Sequence, residues 1–327
     1  MIRAMAIDDL PRFRLFDGPS PFQRLPRFAE ALGGRVDVWV KREDLLPVAF
    51  GGNKLRNLEF LVAAAIADGA DTIITSGRRW SNHARLTAAA GAMAGLDVHL
   101  VLSGPPSPTP GPSARISTVL GATIHQLETA DREERSRRVI ALTAELRAGG
   151  KWPYVIGVGG AGPIGAVGQF LAGLEMLEQA AAAGVEPDAL WLPTATGGTQ
   201  AGLVLAASGR APETAVVGVV VARTVEELRR VIGDTLGVLA DMTGRTVRDE
   251  AIVFDRKHLG DGYGRRTEAG DEAASLLART EGILVDPIYT AKALAGLSAA
   301  VRSGRHDGQT VVFWHAGGTL GLLEPLD

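Results

Sequence analysis

The sequence predicts an α/β protein with two open, mostly parallel sheets, each flanked by helices. Short β-branched runs alternate with Ala-rich helical stretches along almost the whole chain, the rhythm of right-handed βαβ units covered on both faces. The run 215–221 (AVVGVVV) is apolar throughout, as a strand buried on both sides requires. A length of 327 residues predicts about two domains.

Taken in order, residues 36–40 form the first strand-like run, ending in Lys41-Arg42-Glu43-Asp44. Gly51 and Gly52 then turn the chain into a helical pattern over 53–68. A strand at 72–76 and the loop Gly77-Arg78-Arg79-Trp80 lead to Ser81, a natural N-cap for a helix over 82–94. Strands follow at 98–102 and 123–127. Between them lies 104–112, too proline-dense for a helix or a central strand and therefore surface, either a linker or a lid beside a cleft. A helix over 131–148, a strand at 154–157 and a helix over 164–183 continue the alternation. The strand 189–193 runs into a glycine-rich turn that opens another helix, and 216–221, a helix over 267–280 and a strand at 310–315 complete it.

Composition narrows the function. Hydrophobic residues make up 46% of the chain and aromatics only 5%, so Ala, Val, Leu and Gly do most of the packing of a sizeable core. A net charge of −3 with no basic run argues against a nucleic-acid surface. The absence of cysteine excludes disulfides, thiolate catalysis and Cys-ligated metals, and the six histidines show no metal-ligand spacing. No apolar run approaches the ~20 residues that cross a bilayer, and the N-terminus meets Asp8 and Asp9 before a leader-like apolar region forms. A metal-free cytoplasmic enzyme with an organic cofactor is expected.

Four local patterns carry chemistry. Lys54 stands behind Gly51-Gly52-Asn53, where strand gives way to helix; an amine walled in at such a junction can bond covalently to an aldehyde, and the alternative is a solvated lysine in a turn. Ala195-Thr196-Gly197-Gly198-Thr199-Gln200-Ala201-Gly202 presents backbone N–H groups at a helix N-terminus, a phosphate site that is neither a P-loop nor a dinucleotide fingerprint. Ser81-Asn82 either caps its helix or grips a substrate carboxylate. Tyr263 and Tyr289, two of only three tyrosines, lie in turn-prone sequence and serve as acid or base, or anchor their loops by the hydroxyl.

The segments KREDLLPVAFGGNKLRNLEFL, SNHARLTAAA, TGGTQAGL, GYG, ARTEGILVDPIYTAKALAGL and the terminal HAGG run in order from Lys41 to Gly318. They resemble the D-cysteine desulfhydrase / 1-aminocyclopropane-1-carboxylate (ACC) deaminase family, within the tryptophan-synthase-β-like, fold type II, pyridoxal 5′-phosphate (PLP) enzymes. The resemblance implies PLP as cofactor, Lys54 as its covalent anchor, and Thr196, Gly197, Gly198, Thr199 and Gln200 as its phosphate turn. It implies Asn82 at the ring 3′-oxygen, Ser81 on the substrate carboxylate, Trp80 and His83 beside the substrate, and Tyr263 and Tyr289 facing the reacting carbons. A larger domain of residues 1–55 and 165–327, a smaller one of 56–164 inserted within it, and a homodimer are also implied.

Family resemblance leaves the reaction open. The residue after the second tyrosine lies near the pyridine nitrogen in that family; ACC deaminases carry Glu there, the desulfhydrases Thr, and this chain has Thr290. A neutral hydroxyl leaves a weaker electron sink, adequate when a good leaving group departs from Cβ. β-Elimination of sulfide or a related group from D-cysteine or a similar amino acid, giving pyruvate and ammonia, is therefore expected over cyclopropane opening. β-Replacement would use the same site. The chain departs from the pattern at Arg78-Arg79-Trp80, where an arginine either pairs with an anionic substrate tail such as the sulfonate of cysteate or faces solvent. It departs again at Ala316, where the desulfhydrases carry Thr.

Overall fold

The computed structural model describes residues 6–104, 109–247 and 251–325. Its larger sheet has six strands, in spatial order β1 (Phe22–Arg24), β2 (Asp37–Arg42), β10 (Thr310–His315), β7 (Ala189–Thr194), β8 (Ala215–Val220) and β9 (Ile252–Asp255). β1 pairs antiparallel with β2, and the other pairs are parallel. The second sheet is wholly parallel, in the order β5 (Thr123–Leu127), β4 (Asp97–Ser103), β3 (Thr72–Arg78), β6 (Pro153–Val155). The α/β reading with mostly parallel sheets is borne out.

Alternation along the strands sorts residues between two cores, as a period of two requires. Leu190 and Leu192 of β7 pack with α6 (Pro163–Ala182), α7 (Gly198–Arg210) and α8 (Val225–Thr243) on one face of the larger sheet. Trp191, between them in sequence, packs on the other face with α1 (Pro26–Ala31), α9 (Glu268–Glu281) and α10 (Thr290–Arg302). The four-stranded sheet is covered likewise. Leu100 and Leu102 of β4 meet α2 (Lys54–Ala67) and α3 (Asn82–Ala94), and Val101 meets Leu142 of α5 (Arg132–Ala148).

Most expected elements lie within two residues of the observed ones. The exceptions are β1, β9 and α1, three, four and six residues long, and two longer helices, α8 and α10, of 19 and 13 residues. The proline-rich stretch ends where α4 (Pro112–Val119) begins, with Pro112 in the first turn, where its missing N–H costs nothing; residues 105–108 lie outside the described residues. α8 opens on a capping box of Thr224 and Glu227, a readable start signal that the expectation above did not use. Parallel strands place their C-terminal ends together, and the chain leaving β3, β7, β8 and β10 there lines one cavity, the usual place for a ligand in an open α/β sheet.

Candidate active site

The cavity has a volume of about 300 Å³. Lys54 enters it from the first residue of α2. The turn before it is tightly wound: Ala49, Phe50, Gly51 and Gly52 all have positive φ. At Gly51 a Cβ would meet the Asp44 carbonyl oxygen at 2.1 Å, so only glycine fits there. Asn53 N–H donates to the Ala316 carbonyl (2.9 Å) and its Nδ2 donates to Thr199 Oγ1 (3.0 Å), which ties this turn to the β10 end and to α7.

Five lysines occur in the chain, and four are committed or distant. Lys41 Nζ pairs with Glu175 (2.5 Å) and Lys151 Nζ with Asp97 (2.8 Å). Lys292 Nζ donates to the carbonyls of Leu259 (2.6 Å) and Gly262 (3.0 Å). Lys257 is exposed and does not line the cavity. Lys54 Nζ has a single long contact, 3.5 Å to Thr199 Oγ1. Burial lowers its pKa to about 8, so a useful fraction of the amine is neutral near physiological pH.

Beyond Lys54 the chain leaves β7 through Thr194–Thr199. Gly197 is the N-cap of α7 with φ +86°, and a Cβ there would meet Ile232 Cγ1 at 2.8 Å. The N–H groups of the first helical turn lack intrahelical acceptors and carry the positive end of the helix dipole. Thr194 Oγ1 is buried and unpartnered beside them. These are the features a phosphate needs.

Across the cavity, Ser81 caps α3, its Oγ accepting from Ala84 N–H (3.2 Å). Its own hydroxyl proton stays available, as do the N–H groups of Asn82 and His83. Asn82 Oδ1 accepts from Arg85 Nη2 (2.9 Å), which fixes the amide so that Nδ2 is the group left to donate. His83 has its tautomer set by its neighbour. Thr75 Oγ1 donates to the Ile156 carbonyl (2.8 Å), so it accepts from His83 Nε2 (3.0 Å). The ring therefore keeps a bare, buried Nδ1 beside Gly160. Burial, then the Lys54 charge, depress the His83 pKa to about 3 and keep it neutral. A bare acceptor cannot grip a carboxylate, so any substrate contact expected of His83 falls to its backbone.

Tyr263 and Tyr289 meet hydroxyl to hydroxyl, with their rings edge to face at 5.8 Å. Burial raises both phenol pKa values, Tyr289 well above its ordinary range, so both are protonated at neutral pH. One hydroxyl donates to the other, and the second proton remains for a substrate. Tyr289 is held from behind by Asp286, whose carboxylate accepts from the N–H groups of Ile288 (2.9 Å), Tyr289 (2.8 Å) and Thr290 (2.9 Å).

Not every expected residue reaches the cavity. Lys54, Ser81, Asn82, His83, Thr196, Gly197, Thr199, Tyr263, Tyr289, Arg78 and Ala316 line it; Trp80, Gly198, Gln200 and Thr290 do not. Gln200 is fully buried, its Nε2 donating to the carbonyls of Val216 (3.3 Å) and Val253 (2.8 Å), so it fastens α7 to β8 and β9. The Thr290 hydroxyl is spent on the Asp286 carboxylate. Trp80 packs behind the wall, 3.0 Å from where a Cβ on Gly264 would sit. Neither Arg78 nor Arg79 faces solvent: Arg79 is buried, with Nη2 donating to the Pro325 carbonyl (3.0 Å), and Arg78 lines the cavity. Arg132, Arg135 and Arg223 also line it, and no local motif marked them.

A family model for pyridoxal-phosphate dependent enzymes matches residues 13–317. The chain belongs to that family. Its cofactor is PLP, and the residues fit it: an uncommitted lysine, an open helix N-terminus for the phosphate, and an Asn82 amide oriented to donate. As a member of the PLP-dependent enzymes the chain is 36% identical, over 96% of its length and 95% of the relative's, to a D-cysteine desulfhydrase of Salmonella choleraesuis (strain SC-B67). A crystal structure of an ACC deaminase homologue superposes with a TM-score of 0.89 at 32% identity, covering 97% of this chain and 94% of that one. The processed form of threonine deaminase isoform 2 from Solanum lycopersicum shares the fold. Its TM-score is 0.68 at 18% identity, with 97% of this chain and 82% of that one covered.

Proposed function

We propose that this PLP-dependent enzyme is a lyase acting on Cβ of an amino acid, in the simplest case removing sulfide from D-cysteine to give pyruvate and ammonia. The observation that carries this reading is a single cavity bringing together Lys54, the α7 glycine turn and the Tyr263–Tyr289 pair. Likeness to a D-cysteine desulfhydrase and to an ACC deaminase homologue supports it.

Bound PLP supplies an electron sink for negative charge at Cα. The α7 N-terminus would hold its phosphate, and Asn82 Nδ2 would donate to its ring oxygen. Ser81 Oγ–H and the first N–H groups of α3 hold the substrate carboxylate, which fixes Cα beside Lys54. The Lys54 amine, neutral in part at pH 7, takes the Cα proton. The free phenolic proton of the tyrosine pair passes to, or hydrogen-bonds, the group leaving Cβ. Thr290 is left out of this scheme because its hydroxyl is committed to Asp286.

Residues 1–55 with 165–327 are read as the larger, cofactor-holding unit and 56–164 as the smaller; the enzyme is read as a cytoplasmic homodimer, which size-exclusion chromatography with light scattering tests. The reaction is tested by a panel assay for α-keto acid with both enantiomers of cysteine and β-chloroalanine, with ACC, and with added thiol. Pyruvate from a cysteine enantiomer supports the lyase. Turnover of ACC alone contradicts it, and a thioether product with added thiol reassigns the enzyme to β-replacement.

A further inference from the structure

Four arginines line the cavity: Arg78 at the end of β3, Arg132 and Arg135 in the first turn of α5, and Arg223 just after β8. Among the described residues no aspartate or glutamate lines it with them, and none of the four has a carboxylate within 4.0 Å. Arg56, by contrast, is buried against Glu43 (2.9 Å) and Glu175 (2.7 Å).

The four make up a cationic wall whose charges act on one another. Burial, then the charges of Arg78 and Arg132, hold the Arg135 pKa below its ordinary value, and burial, then Arg132, does the same to Arg223. Arg135 is pinned by its Nη1 bond to Ser103 Oγ (2.8 Å). Arg78 Cζ lies 5.8 Å from the Tyr263 ring centre and 5.6 Å from that of Trp80, and its Nη1 is buried without a partner. Of the four, Arg135 is buried, Arg78 and Arg223 are half-buried and Arg132 is exposed; cations that line a cavity without a carboxylate partner are completed by an anion bound there.

The cofactor phosphate and the substrate carboxylate already have donors, at the N-termini of α7 and α3. Arg78 stands on the turn that carries Ser81, whose N–H donates to its carbonyl (2.9 Å), and its guanidinium, with that of Arg135, lies beside the tyrosine pair where the Cβ substituent leaves. We infer that the Arg78–Arg135 wall binds a second anion of the substrate, an oxyanion on Cβ that departs as the leaving group. This rests on the lyase reading above and names its substrate class. Two Cβ groups leave as oxyanions with the bonding electron pair: a sulfonate, as sulfite, and a phosphate ester, as phosphate. For cysteate the balance is substrate plus water giving pyruvate, ammonium and hydrogensulfite. The Cα–H and Cβ–S bonds break, the Cβ–S pair leaves on sulfur, and water replaces the amine on the resulting enamine; nothing is oxidised overall.

The test compares cysteate, O-phosphoserine and β-chloroalanine, each as both enantiomers, in wild-type holoenzyme, Arg78→Gln and Arg78→Lys. Wild type is expected to form pyruvate from cysteate or O-phosphoserine, and whichever is used identifies the oxyanion. Arg78→Gln should lower the kcat/KM ratio of that substrate to β-chloroalanine by at least about thirtyfold, with partial rescue in Arg78→Lys. Independently of turnover, calorimetry should show 3-sulfopropionate binding to wild type more tightly than propionate, and that difference should vanish in Arg78→Gln. If β-chloroalanine or cysteine is turned over but neither oxyanion is, and 3-sulfopropionate gains nothing over propionate, the inference fails while the lyase reading stands. If no substrate yields an α-keto acid, the lyase reading fails. A loss of PLP affinity in Arg78→Gln with the substrate ratio unchanged assigns the wall to the cofactor phosphate and overturns the inference.

Discussion

The wall built on the larger sheet and the wall built on the four-stranded sheet offer the cavity different kinds of polar group. On the first, Thr194–Thr199 and Asn53–Lys54 present mostly backbone N–H and short hydroxyls, held by glycines whose geometry admits little else. On the second, Arg78, Arg132 and Arg135 present long cationic side chains, Arg78 held over the Trp80 ring and Arg135 by its bond to Ser103. Backbone groups are set by the fold and cannot be retuned by substitution, which suits a constant cofactor. Side chains can be exchanged without moving the scaffold, which suits a substrate that differs between relatives.

Removing Lys54 breaks the first wall most completely. Lys54→Ala should lower turnover roughly a thousandfold or more, because covalent anchor and base are lost together, while leaving the thermal midpoint near that of wild type. A stopped-time pyruvate assay checks it; retention of a tenth of the activity would move the base elsewhere. Tyr289→Phe tests the facing groups. Loss of the shared hydroxyl proton should cost about a hundredfold in kcat with a smaller change in KM, and a raised KM with kcat unchanged would make Tyr289 a binding group only. Gly197→Ala should weaken PLP retention about tenfold, since the strained φ and the 2.8 Å approach to Ile232 must both be relieved; fluorescence titration of apoenzyme measures this.

A pH series sharpens the difference in charge. Only the neutral amine attacks an aldehyde, and burial has brought the Lys54 pKa down to about 8. The rate at which apoenzyme captures PLP should therefore climb with pH through about 8 and level off above it. A climb continuing toward pH 10.5 would mean that Lys54 is solvated. The smallest effect is expected at Thr290. Its hydroxyl serves Asp286, so Thr290→Val should cost about 1 kcal/mol of stability and change kcat by less than about threefold. A larger kinetic loss would return Thr290 to the ring nitrogen.

These two walls also differ in how far the sequence discloses them. Lys54 behind its glycines, the 195–202 turn and Ser81-Asn82 are contiguous in sequence, and each has a local reason to exist, so the cofactor side was legible. Arg78, Arg132, Arg135 and Arg223 come from three separate elements, and nothing in the α5 pattern distinguishes Arg132 and Arg135 from arginines on a solvated helix face. Thr290 misled for a related reason: a motif places a residue along the chain, but the Asp286 carboxylate four residues earlier decides where its hydroxyl goes. Most strands and longer helices followed from period and length; β1, β9 and α1 are too short to show a period, while α8 and α10 are long enough to show one and were missed.

The most direct test of the central assignment is borohydride reduction of the holoenzyme followed by peptide mass mapping. The expected result is a single reduced PLP adduct on the peptide containing Lys54, absent in Lys54→Ala. An adduct on Lys41, Lys151, Lys257 or Lys292, or a coloured holoenzyme that yields no adduct, would contradict it.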